Sequence, residues 1–235
     1  MDPDTKARSR RMSAFPTCAA DIVGEFLEAA VHTILCIRGV YPRVIFRAAR
    51  KFNAPVRMSI HKDLNTYIAE IVEGAYKSMK MGIVHKLELV IREAKKESIY
   101  TVEKYVFEVG AIAKLHLNPR EKDKVYEELG NFLIRLMSVD LIRERNKHKD
   151  LSFSFQMFTS CHDKALEGHW LMVGPSNDKW ESTDKKETTA GSKGGKRELG
   201  SRPRRDFPRL NPIHSMTNPF PLTLNLMTPP PSIPS

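Results

Sequence analysis

The sequence predicts an α+β fold, on three observations. One strongly apolar helix lies near the N-terminus, two alternating apolar runs are joined by a short polar link, and a clean period-two strand follows a further helical stretch. The chain has 235 residues, enough for one domain of ordinary size with tails.

The first helix covers Ala19 to Ile37. Its apolar residues form two ridges at i, i+4 spacing, Ile22-Phe26-Ala30-Ile34 and Val23-Leu27-Val31-Leu35, which gives one wide buried face. Asp21, Glu25 and Glu28 fall in the early turns, where the helix dipole favours anions. Gly39 and Pro42 stop it. A second helix is expected from His61 to about Lys80 through Leu64, Ile68, Ile71, Val72 and Ala75.

Leu87, Leu89 and Ile91 then alternate with Lys86, Glu88 and Val90. After a polar link from Ala94 to Ser98, Ile99 to Val109 alternates again, which predicts a β-hairpin. A third helix is expected from Arg120 to about Arg145, with Val125, Leu129, Phe132, Leu133 and Leu136 on one face. Leu151 to Met157 alternates without a break and predicts a strand. Late in the chain, Phe220, Leu222, Leu224 and Leu226 alternate, with Pro221 restricting that segment to an edge position.

Composition excludes several classes. Apolar residues make up 41% and charged residues 28%, a globular balance. No apolar run approaches the eighteen or so residues that span a bilayer, and the charged N-terminus lacks the apolar core of a secretory signal. Cys18, Cys36 and Cys161 form no C-x-x-C pair, so a reducing compartment is expected. Net charge is +10, of which residues 1–12 hold +2 and residues 185–209 hold +6. A nucleic-acid reader would carry its basic stripe on the folded part, so direct nucleic-acid binding is not expected.

No motif has catalytic spacing. Gly191 to Lys196 resembles a phosphate loop only in composition, lacking G-x-x-x-x-G-K-[ST]. Cys161, His162, Asp163 and His169 match no ligand spacing and read as loop residues. Glu25 and Glu28, three apart, read as a solvated helix face. Neither enzyme activity nor a cofactor or metal is expected. Tyr67 by composition is a half-buried helix residue, and Trp170 and Trp180, outside the strong elements, are either packing residues or partner anchors.

Three stretches together resemble the HORMA-domain family. They are Glu25 to Leu35 with Gly39-Val-Tyr-Pro42 and Ile45-Phe46; Phe52 to Ser59 leading through His61, Leu64 and Asn65 to Tyr67-Ile68; and Val102 to Val109. Within the family they resemble the accessory, non-catalytic subunit of DNA polymerase zeta, a relative of the mitotic-arrest-deficient checkpoint proteins. The resemblance runs from about Asp21 to Thr159. It implies a central antiparallel sheet backed by three helices, with a C-terminal safety-belt segment that closes over an extended partner peptide.

The same resemblance places Tyr67 as a peptide-contacting tyrosine and offers Trp170 or Trp180 as the belt tryptophan. It places Leu210, Pro212, Met216, Leu224 and Leu226 at an interface with the scaffold translesion polymerase. Leu224 and Leu226 fall where the family has polar and aromatic residues. Arg209 follows Asp206-Phe207-Pro208 where the family has the tryptophan, and Gly130 replaces an arginine associated with dimerisation.

The expected organisation is a disordered tail over 1–15, a HORMA domain over 16–228 with a flexible insertion at about 179–205, and a proline-rich tail over 229–235. The implied function is an adaptor bridging the catalytic subunit of DNA polymerase zeta and the scaffold polymerase in translesion synthesis and DNA repair. One alternative is a mitotic checkpoint regulator that inhibits the anaphase-promoting ubiquitin ligase through its activators. Another is a structural meiotic-chromosome HORMA protein. A second HORMA protomer is a further implied partner, no membrane is involved, and the expected compartment is the nucleus with a cytoplasmic pool.

Overall fold

The double apolar ridge of the first helix decides where the core forms. In the computed structural model, which describes residues 18–95, 98–109, 112, 115–142, 150–160, 209–217 and 222–228, helix α1 spans Ala19–Ile37 and is buried along almost its whole length. A helix apolar on so much of its surface must be covered on several sides. Phe26 shows how: its ring meets Phe52, Phe107 and Phe132 edge to face, with centroids 6.3, 6.4 and 5.6 Å away. Those three rings come from three other elements, so Phe26 is where the layers join. Edge-to-face packing adds roughly 0.5–1.5 kcal/mol per pair beyond area burial.

The start of α1 is closed by Asp21, whose Oδ2 accepts the Cys18 amide at 3.0 Å. Its end is a Schellman turn. Gly39 takes φ +67°, Val40 N–H donates to the Leu35 carbonyl at 3.1 Å, and Gly39 N–H donates to that of Cys36 at 3.2 Å. Cys18 and Cys36 are free, buried thiols that pack as small hydrophobes.

Strands β1 (Phe46–Lys51) and β2 (Ala54–Ser59) form a two-stranded antiparallel hairpin, which the sequence reading did not anticipate. Both turn residues have positive φ, Phe52 at 50° and Asn53 at 56°, as a two-residue hairpin of the primed type requires. Asparagine tolerates this; phenylalanine does so at a cost of roughly 1–2 kcal/mol. Burial of its ring between Phe26 and Tyr126, whose centroid lies 5.0 Å away, offsets that cost.

Helices α2 (Lys62–Met81) and α3 (Pro119–Ile142) complete the helical layer. The start of α3 is a capping box. Glu121 N–H donates to Asn118 Oδ1, and Asn118 N–H donates to Glu121 Oε2, both at 2.9 Å.

The main sheet holds β3 (Val84–Lys95), β4 (Ser98–Val109), β5 (Leu151–Thr159), β6 (Arg209–Met216) and β7 (Leu222–Thr228). All neighbours are antiparallel, in the order β5-β3-β4-β7-β6. Register brings the apolar residues into rows across the sheet. One row is Phe155, Leu89, Tyr105 and Leu226; the next is Met157, Leu87, Phe107 and Leu224. This is the alternation of the sequence expressed in space. Phe26 touches Phe107 in the second row, so α1 lies between the sheet and the β1–β2 hairpin.

Three helices behind a central antiparallel sheet agree with the expected architecture. The expected hairpin appears as β3–β4, its strands extending to Lys95 and from Ser98. The edge assignment of the segment from Phe220 to Leu226 is corrected, since the strand there is Leu222–Thr228. This strand is internal, bonded to β4 on one side and β6 on the other. The described strand begins after Pro221, at Leu222. The edge strand is β6, and it carries a proline of its own, Pro212, next to a register shift before His214. Residues 1–15, the insertion at 179–205, the tail at 229–235, the Gly191–Lys196 stretch, and Cys161, His162, Asp163, His169, Trp170 and Trp180 lie outside the described residues.

Candidate peptide-binding edge

Tyr67 is held in place from its own helix start. Ser59, at the end of β2, carries the junction: its Oγ accepts the His61 amide at 3.0 Å, and its carbonyl accepts Asn65 Nδ2 at 3.1 Å. His61 then caps α2 by accepting the Leu64 amide on Nδ1 at 3.4 Å. The Ser59 amide donates to Nδ1 of the buried His32 on α1 at 3.4 Å. These bonds fix the first turn of α2, and Tyr67 follows one turn later.

From there Tyr67 reaches the outermost strand. Its ring meets Phe153 of β5 edge to face, with centroids 5.6 Å apart and planes at 71°. Tyr41, delivered by the turn after α1, also meets Phe153, with centroids 6.2 Å apart and planes at 76°. Burial raises the Tyr41 phenol above its usual range, and the neighbouring Tyr67 oxygen adds to the effect by repulsion. The Tyr41 phenol therefore stays a neutral hydrogen-bond donor at physiological pH. Tyr67 remains 47% exposed, which is unusual for an aromatic so firmly placed.

β5 pairs with β3 along one side only, and among the described residues its outer edge has no partner. An outer strand beside a three-ring cluster can accept an extended chain as a further strand. The rings would supply side-chain contact to it. Arg92 of β3 bonds the Ser154 hydroxyl and braces β5 from behind.

The residues expected at the scaffold-polymerase interface lie at the opposite end of the sheet. The side chains of Met216, Leu224 and Leu226 are 5%, 0% and 4% exposed and belong to the core. In this structure those three sit in the core on the β6–β7 side of the sheet. Leu210 and Pro212 pair with Met227 and Asn225 on β6, the outer strand on this side. Trp170 and Trp180 are not among the described residues, so only Tyr67 of the expected peptide contacts is placed.

Phe153 and Tyr41 were not singled out from the sequence as site residues. Phe153 sat inside the most regular strand pattern, where an aromatic reads as core. Tyr41 was visible only as part of the Gly39-Val-Tyr-Pro42 stretch. No group of three or more His, Cys, Asp or Glu side chains that could hold a metal occurs among the described residues.

Comparison with known proteins fits this geometry. The HORMA domain family pattern matches residues 19–140. The chain is 35% identical over 133 residues to the mitotic spindle assembly checkpoint protein MAD2B of Rattus norvegicus, a match covering 56% of this chain and 62% of that protein. It is 39% identical over 93 residues to the DNA polymerase zeta processivity subunit of Schizosaccharomyces pombe, covering 39% of this chain and 42% of that protein. The chain thus aligns with less than two thirds of the length of these relatives.

Among solved structures, a chain of the crystal structure of the mitotic checkpoint complex superposes with a TM-score of 0.60 at 21% identity, covering 91% of this chain and 99% of that one. C. elegans HTP-2 bound to the HIM-3 closure motif gives a TM-score of 0.56 at 12% identity, covering 89% of each chain. At such identities the likeness is one of fold.

Proposed function

The chain belongs to the HORMA domain family, and from that premise we propose that it is a non-enzymatic adaptor that captures an extended partner peptide along the outer edge of β5. The observation that carries this reading is Tyr67 against Phe153 on β5, the outermost strand on this side among the described residues. Backbone bonds from β5 give affinity, and the Tyr41–Phe153–Tyr67 cluster selects the side chains of the bound segment. An exposed aromatic fixed by its neighbours pays little ordering entropy when it binds, which makes it a good anchor.

The relatives named as polymerase zeta subunits support a role between the catalytic subunit of that polymerase and the scaffold polymerase in translesion DNA synthesis, in the nucleus. The relatives named MAD2B carry checkpoint names, which favours a second reading as a cell-cycle regulator of the anaphase-promoting ligase. Both readings use the same edge. A partner peptide therefore decides between the roles, not the fold.

Amide hydrogen exchange tests strand addition directly. A proline-containing peptide from the catalytic subunit of polymerase zeta should slow exchange of the outward β5 amides between Leu151 and Thr159. Exchange at those amides unchanged at saturating peptide would overturn the β5 site.

A further inference from the structure

The β1–β2 hairpin presents a surface that no part of the peptide site uses. Residues 43–62 contain Arg43, Arg47, Arg50, Lys51, Arg57 and Lys62 and no Asp or Glu, a net charge of +6, with four of the six on the hairpin and one just beyond each end. Outside this stretch and the basic segments at 1–12 and 185–209, the chain is net acidic. The expectation that the charge surplus lies on tails and a linker is therefore incomplete, because the folded part has a basic stripe of its own.

Register concentrates the stripe. Arg57 stands opposite Ala48, and Arg50 opposite Pro55, so Arg50 and Arg57 are diagonal neighbours on one face, about 7–8 Å apart. Both are exposed, as are Arg43, Arg47 and Lys62. Lys51 is partly neutralised by Glu25 at 2.7 Å, and Arg50 Nε donates to the Asn53 carbonyl at 3.3 Å. Among the described residues no carboxylate pairs with Arg47, Arg50 or Arg57. The other face of the hairpin packs on α1 and α3, with the Arg57 amide donating to Thr33 Oγ1 at 3.3 Å, so the ribbon is rigidly mounted.

We propose that the outer face of the β1–β2 hairpin binds the phosphate backbone of duplex DNA without reading sequence. The cations are mostly guanidiniums, which suit phosphate oxygens bidentately. A six-residue strand extends about 20 Å, long enough to contact several phosphates along one strand. A two-stranded ribbon can enter a major groove, but this one is buried on its inner face and can only lie across the backbone. A membrane is a poorer match. Val44 and Ile60 are 82% and 60% exposed at one end of the hairpin, but Ala48, Arg50, Pro55 and Arg57 offer no large apolar side chain to insert. Acidic protein segments are the remaining rival.

The test is fluorescence anisotropy with a labelled 20-base-pair duplex and the full chain, at salt from 50 to 200 mM. Wild type is compared with the double variant Arg50→Glu, Arg57→Glu, both on the outer face by register, and with its Gln counterpart, each checked by circular dichroism. The linker is the same in all three, so its charges cancel. The Glu variant should bind at least tenfold more weakly, with the slope of log K against log salt shallower by about 2. The Gln variant should fall between. Equal affinity and slope in folded wild type and Gln variant would overturn the proposal. So would tighter binding of a 20-residue poly-Glu peptide than of the duplex, which would assign the face to acidic proteins. So would phosphatidylserine vesicles that lose binding in the Glu variant while duplex binding persists. The proposal is independent of peptide capture, and Tyr67→Ala should leave duplex binding unchanged.

Discussion

A Cβ placed on Gly130 would stand 2.4 Å from the carbonyl oxygen of Phe52. Helix α3 and the β1–β2 turn therefore touch through bare backbone, and only glycine permits this approach. The turn supplies Phe52 to the ring cluster around Phe26, so the contact reaches the centre of the core.

Gly130→Ala should destabilise the protein despite alanine's advantage of about 1 kcal/mol inside a helix. Overpacking against backbone costs roughly 1–3 kcal/mol, and neither the turn nor the helix is a flexible side-chain end that can step aside. The expected net loss is up to about 2 kcal/mol, a fall in Tm of up to roughly 8 °C for a domain of this size. A thermal melt checks it. A rise in Tm would show that α3 stands off from the turn.

His32 should make stability depend on pH. Burial lowers its pKa from 6.5 to about 4, because the charged imidazole would lose its hydration and could no longer accept the Ser59 amide. The folded state thus binds a proton less readily than the unfolded chain. The stabilising effect is complete above pH 6.5 and is lost as pH falls through 6.5 toward 4. Linkage gives roughly 2 kcal/mol between pH 7 and pH 5. Urea midpoints of wild type and His32→Gln across this range should converge as pH falls. A constant gap between them would contradict the account.

Deleting Thr183 to Gly200 should shift Tm by no more than a few degrees, because this stretch of Lys, Gly, Ser and Thr has little apolar surface to bury. Calorimetry of the deletion variant checks it. A large fall would show that the stretch packs on the domain.

Much of this fold is visible in the sequence because burial enforces periodicity. α1 matches its expected limits, since its ridges and the Gly39 turn both mark them. β3 and β4 were legible from alternation, and the cross-sheet rows follow from it. The β1–β2 hairpin was not: Phe46-Arg-Ala-Ala-Arg-Lys51 lacks clean alternation, and Phe52 is a rare residue at positive φ. Pro221 misled because the described strand begins after it, at Leu222. The candidate site was legible only through family resemblance at Tyr67. Phe153 alternates like any core residue, and its role depends on β5 being an edge, which strand order alone reveals.

Calorimetric titration of the proline-containing polymerase peptide into wild type and Tyr67→Ala, with thermal melts of both, tests peptide capture most directly. Tyr67 is exposed and its loss should barely lower Tm, whereas affinity should fall by about 2 kcal/mol, roughly thirtyfold in Kd. A folded Tyr67→Ala protein that binds the peptide as tightly as wild type would contradict capture at the Tyr67–Phe153 edge.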